Sequence, residues 1–339
     1  MTAGRIRSVV QLATCSSALQ ACSGWQSALD PHSQTAAHLA GLFWFFTAIC
    51  AIVWVLVVAA LIMVLRRRRE SESVLPGDDF PHQQRRKAII VGSLTAITAI
   101  ILTVLTYMSF YATREITWPR KHVLTVKVTG QQWWWQLDYQ NQDPSQSFGT
   151  ANELHIPVGQ PVTVDLEAAD VIHSFWVPNL IGKQDMIPGR KNVLTLRADK
   201  PGLYRGQCAE FCGLQHAHMS MFVFAEPPAA FEAWRRHQLE PAATPGAPQR
   251  ITGMNIFVHG ACATCHAVGG TDADGQTGPN LTHFAQRATI AAGTLRNTPA
   301  NLSRWLADPQ AVKPGTNMPQ VPMSPADRQA LVAYLEGLK

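Results

Sequence analysis

The sequence predicts a chain in three parts: a hairpin of two transmembrane helices, an all-β sandwich, and a small all-α domain. Three observations carry this. Two long runs near the front are apolar and uncharged; the middle switches to short alternating segments punctuated by Gly and Pro; the last part opens on Cys262-Ala-Thr-Cys265-His266 and continues with helical spacing. A length of 339 residues accommodates two or three domains. The expected boundaries are 1–37 for an export-like segment, 38–118 for the hairpin, 119–237 for the sandwich, 238–249 for a linker and 250–339 for the last domain.

Arg5 and Arg7 precede a weakly apolar stretch ending Leu19-Gln-Ala-Cys22. One reading is a bacterial lipoprotein signal, with cleavage before Cys22 and a lipid anchor on its sulfur. The stretch is short and polar-rich, so an unprocessed tail is the other reading. The runs from about 38 to 65 and from about 88 to 111 each exceed the roughly 20 residues a helix needs to cross a bilayer. Arg66, Arg67, Arg68 and Arg69, then Arg85, Arg86 and Lys87, lie between them. The positive-inside rule therefore puts that loop in the cytoplasm and both flanking parts outside. Basic and acidic residues number 10 and 6 in residues 1–118, 11 and 12 in 119–249, and 7 and 5 in 250–339. No part is basic enough to suggest nucleic acid. Four of the seven cysteines fall in two compact motifs, and no even-numbered disulfide framework is left over.

Residues 123–128, 153–158, 162–166, 193–196 and 221–224 read as short strands, with turn signals such as Pro188-Gly189 and Pro201-Gly202 between them. Even spacing of short strands argues for a sandwich or barrel. Within it, Cys208-Ala-Glu210-Phe-Cys212-Gly-Leu-Gln-His216-Ala-His-Met219 places two thiolates, an imidazole and a thioether in 12 residues. Soft sulfur with imidazole is the ligand set of a copper electron-transfer site. Two cysteines suggest two copper ions sharing both sulfurs. Each copper then wants one imidazole, and His173, between predicted strands, joins His216 to complete the pair. Met219 can supply a weak axial sulfur, and the Glu210 backbone carbonyl can serve the other copper. A disulfide and a zinc site are the competing readings; Met is a poor zinc ligand. The aromatic run Trp133-Trp134-Trp135 reads mainly as packing, with one exposed indole near the metal as a point where electrons could enter.

Cys262-Ala-Thr-Cys265-His266 reads as covalent attachment of a c-type haem. Cys262 and Cys265 would carry the thioether bonds and His266 would ligate iron; a disulfide or a zinc half-site is the alternative. The second axial ligand comes from later in the chain. Lys313-Pro-Gly-Thr-Asn-Met318-Pro resembles the methionine loop of class I cytochromes c, with Met323 as runner-up and His283 and His259 behind it. A Met/His pair raises the reduction potential. Residues 301–306 and 326–338 read as helices covering the haem. Gly278-Pro279 resembles the segment whose carbonyl accepts a hydrogen bond from the ligand histidine. Trp305 and Arg287 are readable as propionate contacts or as plain packing and surface residues.

Taken in order, the hairpin, the tryptophan cluster, His173-Ser-Phe-Trp-Val-Pro178, Asp185-Met-Ile-Pro-Gly-Arg190 and the 208–219 loop resemble subunit II of haem–copper cytochrome c oxidases from about His38 to Pro227. The appended haem motif is similar to the variety with a fused cytochrome c domain. The resemblance implies a cupredoxin fold with a binuclear copper A centre. It implies one copper on His173, Cys208, Cys212 and Met219, and the other on Cys208, Cys212, His216 and the Glu210 carbonyl. It further implies a magnesium ion on the Glu210 carboxylate, shared with subunit I, and Trp133 as the residue where electrons enter. The sequence departs from the family's pattern at Gln131, where many members have histidine, and at Trp134, where they have tyrosine. Neither position is a copper ligand.

The expectation is therefore a subunit of a proton-translocating oxidoreductase, a terminal respiratory oxidase that reduces oxygen to water. Electrons would pass from haem c to copper A and on to subunit I, where the oxygen chemistry resides; no residue of this chain is assigned to it. Subunit I, subunit III, membrane lipid and an upstream electron donor are the implied partners. The bacterial plasma membrane, with both redox domains on the periplasmic face, is the implied location. A copper A subunit of a nitric oxide reductase is the alternative.

Overall fold

The computed structural model describes residues 24–70, 80–117 and 124–339. Cys22 and the lipoprotein-like signal lie outside the described residues. The hairpin and the remainder are separate compact units.

Helix α1 (Gln34–Glu70) and helix α2 (Phe80–Thr117) form the hairpin. Both run past the expected bounds, because backbone helicity continues into the polar flanks after the apolar run stops. Their spans have mean hydropathies of 3.1 and 2.5. Apolar side chains such as Leu56, Val57 and Ile100 are exposed, as a lipid-facing helix requires. Thr47, Thr95, Thr98, Thr103 and Thr106 each return the hydroxyl to the carbonyl four residues back, so these five hydroxyls are paired within their own helix.

Ser33 caps α1 by accepting from Ala36 N (2.9 Å) while its hydroxyl donates to Leu180 O. Residues 24–33, grouped in the sequence with the export-like segment, are hydrogen-bonded onto the sandwich. Asn179 Nδ2 donates to Gly24 O (2.9 Å) and Asp30 O (2.8 Å), and Trp25 stacks on Phe222 at 5.7 Å.

The sandwich has two five-stranded sheets. One is ordered β3-β2-β1-β5-β8, from β1 (Thr125–Gln131), β2 (Trp134–Gln140), β3 (Phe148–Ala151), β5 (Val162–Ala168) and β8 (Asn192–Leu196). The other is ordered β4-β10-β9-β6-β7, from β4 (Glu153–Pro157), β6 (His173–Trp176), β7 (Gln184–Met186), β9 (Gly202–Cys208) and β10 (Ser220–Glu226). Pairs β1–β5 and β4–β10 are parallel and the rest antiparallel. Val126, Val128, Leu137 and Tyr139 face inward from β1 and β2, and Ile156, Val164, Leu166, Phe175 and Val223 complete the core. Alternation of buried and half-buried residues along β1 and β2 is the period-two signature of a one-sided strand.

Five strands were not expected from the sequence. In β2 the tryptophan run masks the alternation. In β9 the sequence Gly-Leu-Tyr-Arg-Gly-Gln-Cys is too polar to read as a strand, yet Tyr204, Gly206 and Cys208 all turn inward. His173 opens β6 rather than lying between strands.

Helix α3 (Pro228–Gln238) leaves the sandwich, and α4 (Pro248–His259) opens the last domain. The connection between them is partly stitched down: Ala242 N donates to Gly269 O (2.9 Å). Helices α5 (Pro299–Ala307), α6 (Pro309–Val312) and α7 (Pro325–Leu335) and the small pair β11 (Thr289–Ile290) and β12 (Leu295–Arg296) complete it. Phe257, Val268, Leu281, Phe284, Leu302, Leu331 and Leu335 form its core. Helices α4 and α7 cross in backbone contact at Gly253, where a Cβ would lie 2.1 Å from Ala330 O. Gly253→Ala should therefore destabilise this domain by about 1–3 kcal/mol or more, read as a lowered thermal transition in calorimetry of the whole chain.

Candidate functional site

Strand β9 ends at Cys208, and the loop to β10 returns Cys212, His216 and Met219 beside it. Strand β6 brings His173 to the same point, because Phe175 pairs with Cys208 across the β6–β9 ladder. His173, Cys208, Cys212 and Met219 are all buried. Cys208 Sγ lies 3.7 Å from Cys212 Sγ and 3.8 Å from His173 Nδ1; Cys212 Sγ lies 3.6 Å from His216 Nδ1 and 3.9 Å from Met219 Sδ. The Glu210 carbonyl oxygen is 3.2 Å from Cys208 Sγ. All six groups named from the sequence thus converge on one point.

A disulfide needs sulfurs about 2.05 Å apart. Two thiolates at about 2.3 Å from a shared tetrahedral metal stand about 3.8 Å apart. The observed spacing is that of the metal-bridging pair. The donor set of two thiolates, two imidazoles, a thioether and a carbonyl is soft and fits copper. The two sulfurs alone cannot both ionise readily. The Cys208 thiol falls to about 3, first because the Cys212 sulfur is bonded to it and then through His173, against the cost of burial. The Cys212 thiol is pushed far up by the same neighbour and by burial. A bound cation removes this conflict, since both sulfurs then face positive charge.

The imidazoles are oriented for metal. His173 Nε2 lies 2.8 Å from Asp170 Oδ1, so Nε2 keeps its proton and donates to the carboxylate while Nδ1 faces the sulfurs. Burial opposes charge on His173, but the Cys208 sulfur and Asp170 outweigh it and its pKa is raised. Asp170 also accepts from Val171 N and Gln132 N, both at 2.7 Å. It therefore ties the ligand histidine to the β1–β2 turn that carries Trp133. Asp170 was not singled out in the sequence; its place three residues before His173 was the available signal. Gly130 presses on the same ring, with a Cβ there falling 2.9 Å from His173 Cδ2.

Trp133 is not the exposed indole expected; it is 8 % exposed. Its Nε1 donates to the Cys212 carbonyl (2.9 Å), which also accepts from Gln132 Nε2 (2.8 Å). The indole is covered from two sides: a Cβ at Gly213 of the copper loop would lie 3.1 Å from its Cζ2, and one at Gly315 of the last domain 3.3 Å from its Cη2.

In that domain the Cys-x-x-Cys-His motif folds into one tight turn, with Cys265 N (3.2 Å) and His266 N (3.0 Å) both donating to Cys262 O. Both cysteines are free thiols. His266 Nδ1 lies 2.8 Å from the Pro279 carbonyl. A carbonyl only accepts, so Nδ1 carries the proton and Nε2 is left as a ligand. Burial lowers the His266 pKa, which keeps the ring neutral. A Cβ at Gly278 would fall 2.7 Å from His266 Cε1, so the chain passes the ring edge only as glycine. Cys262, Trp305, Met318 and Met323 line the domain core half-buried. These features fit a covalently held haem. His283 does not serve as an iron ligand: its Nδ1 and Nε2 face the Lys339 and Glu240 carbonyls at 3.0 and 3.1 Å. His259 is exposed at the end of α4. Arg287 donates to the Asn280 carbonyl, and its pKa falls to about 10 through burial, against the charge of Glu153.

Fold and sites together define a membrane-anchored cupredoxin–cytochrome fusion. Residues 145–225 match the family "Cytochrome C oxidase subunit II, periplasmic domain", and residues 251–339 match "Cytochrome c". Cytochrome c oxidase subunit 2 of Alkalihalophilus pseudofirmus is 39 % identical over 275 residues, 78 % of each chain. The subunit 2 of Bacillus subtilis is 33 % identical over 227 residues, 64 % of this chain and 62 % of that one. Among solved structures, the periplasmic domain of subunit II of cytochrome oxidase of Bradyrhizobium japonicum is 33 % identical, covering 35 % of this chain and 95 % of that one at a TM-score of 0.33. The chain belongs to the cytochrome c oxidase subunit 2 family. It is part of an oxidoreductase complex with a haem–copper subunit I, anchored in a membrane by two helices, with a copper A centre and a haem c in the part outside.

Asp170→Asn should weaken copper binding by about 10- to 100-fold, as loss of a carboxylate behind a ligand histidine commonly does. Copper titration followed by visible absorption checks this; unchanged affinity would mean that packing alone orients His173.

Proposed function

We propose that this chain receives electrons for the oxidase and delivers them to subunit I, using the six copper ligands and the haem residues named above. The carrying observation is the convergence of His173, Cys208, Cys212, His216, Met219 and the Glu210 carbonyl beside an indole bonded to Cys212. When bound, the copper pair and the haem supply one-electron carriers, filled from an upstream donor and emptied toward subunit I.

The chain's own residues do the rest. Cys208 and Cys212 hold a compact shared-sulfur site in a rigid strand-end frame, so ligand positions change little with charge. Asp170 fixes the proton of His173 at Nε2, and Pro279 fixes that of His266 at Nδ1. Trp133 links the face of the last domain to the Cys212 carbonyl. Met318 is the proposed second iron ligand, and the Glu210 carboxylate the proposed magnesium ligand shared with subunit I. Subunit III is the further proposed partner.

Metal and haem analysis of the whole chain should give two coppers and one haem, with one unpaired electron spread over both coppers in electron paramagnetic resonance. Haem without that signal after copper reconstitution would reduce the sandwich to a structural module. For the iron, Met318→Ala should abolish the thioether–iron absorption band and lower the reduction potential, while Met323→Ala should leave both intact; the reverse pattern would move the ligand to Met323.

A further inference from the structure

The last domain does not hang from its linker beside the copper site; it is built into it. Lys313 opens the methionine loop and is 2 % exposed. Its Nζ donates to the carbonyls of Trp133 (2.7 Å), His218 (2.9 Å) and Ala291 (2.9 Å). Three N–H donors thus meet three acceptors, two of them on the copper domain and one on the haem domain. The neighbouring Pro314 carbonyl accepts from Gln215 Nε2 (2.8 Å), inside the copper loop. Gly315, with φ +84, then lays the loop on the Trp133 ring, where a Cβ would press on Leu214 and Trp133 at 3.2 and 3.3 Å.

A second contact is independent of that loop. Ala291 and Ala292 hold φ values of +51 and +55, a left-handed conformation that L residues avoid. The turn they make is locked in place: Ser220 N and Oγ both donate to Ala292 O, at 3.2 and 3.1 Å, one residue after the ligand Met219. A Cβ on Gly293 would fall 2.0 Å from Ser220 Oγ. Further along, Glu153 Oε1 of the sandwich accepts from Ala288 N at 2.7 Å. Backbone carbonyls on both sides are paired across the boundary, and separation would exchange all of these bonds for bonds to water at once.

We propose that the haem domain is a permanent cover on the electron-accepting face of the copper domain, pinned by Lys313. Transfer from haem to copper then needs no docking step, so its rate is set within the chain rather than by encounter. This rests on the electron-relay reading above. In each transfer one electron leaves the reduced haem and one is gained by the copper centre, with no bond made or broken. The external reductant is a reduced soluble c-type cytochrome, which gives up one electron to the haem.

The test uses the whole chain loaded with copper and haem. Reduced soluble cytochrome c is mixed with it, and haem and copper are followed separately. In the unaltered chain copper should be reduced only after haem, at a rate independent of cytochrome concentration and of a several-fold rise in solvent viscosity. In Lys313→Met, where the Ser220 and Glu153 contacts remain, the internal rate should fall several-fold and become sensitive to viscosity, and a copper phase proportional to external cytochrome should appear. Direct, concentration-dependent copper reduction in the unaltered chain, or an internal rate falling with viscosity, would overturn the proposal without any variant. An unchanged internal rate in Lys313→Met would overturn the role of Lys313. No haem-to-copper transfer at all would instead remove the relay reading on which the proposal stands.

Discussion

Two buried sulfur atoms 3.7 Å apart are the constraint around which the rest is arranged. In water two thiols at that distance would part or oxidise. Here each is fixed by the strand or loop that carries it, so one ionises readily and the other is held protonated. A cation between them lets both ionise. The sandwich is the device that enforces the distance. Cys208 is locked by the β6–β9 and β9–β10 ladders, and its backbone N–H is bonded to Met219 O at 3.0 Å, which draws the two ends of the ligand loop together. Preorganisation of this kind lets charge come and go with little movement.

The same frame reaches outward through hydrogen bonds rather than through ligands. Asp170 holds His173 by one carboxylate oxygen and the Gln132 backbone by the other. Gln132 and Trp133 both donate to the Cys212 carbonyl. The carbonyl of Trp133 in turn accepts from Lys313. A continuous chain of bonded groups thus runs from a ligand imidazole to the methionine loop of the neighbouring domain, and the tryptophan lies inside it. Trp133 is buried between the copper loop at Gly213 and the methionine loop at Gly315.

The residues that the fold brings together at the copper site were legible before any fold was known. Sulfur and imidazole at short spacing in the 208–219 loop restrict the chemistry locally, and Cys262, Cys265 and His266 do so again. The apolar runs of α1 and α2 were legible for the same reason, since bilayer thickness acts on a single segment. Strands β2 and β9 were not, because a tryptophan run and an Arg–Gly–Gln segment take their strand character from neighbours far along the chain. The weak iron-ligand candidate His283 was open in the sequence and is closed by two carbonyls, one from the chain end and one from the linker.

What the sequence by itself determined is the chemistry: which atoms can hold metal and haem, and on which side of a membrane they lie. Those are properties of short spans, set by side-chain type, spacing and transfer free energy. Tertiary structure alone decided which nitrogen of each histidine is offered, through Asp170 and Pro279, and that Lys313 lies buried across a domain boundary. It also decided that Trp133 is covered rather than open. Each of these depends on a carbonyl or carboxylate brought up from a distant part of the chain, and an unpaired donor or acceptor is expensive only once folding has removed the water around it.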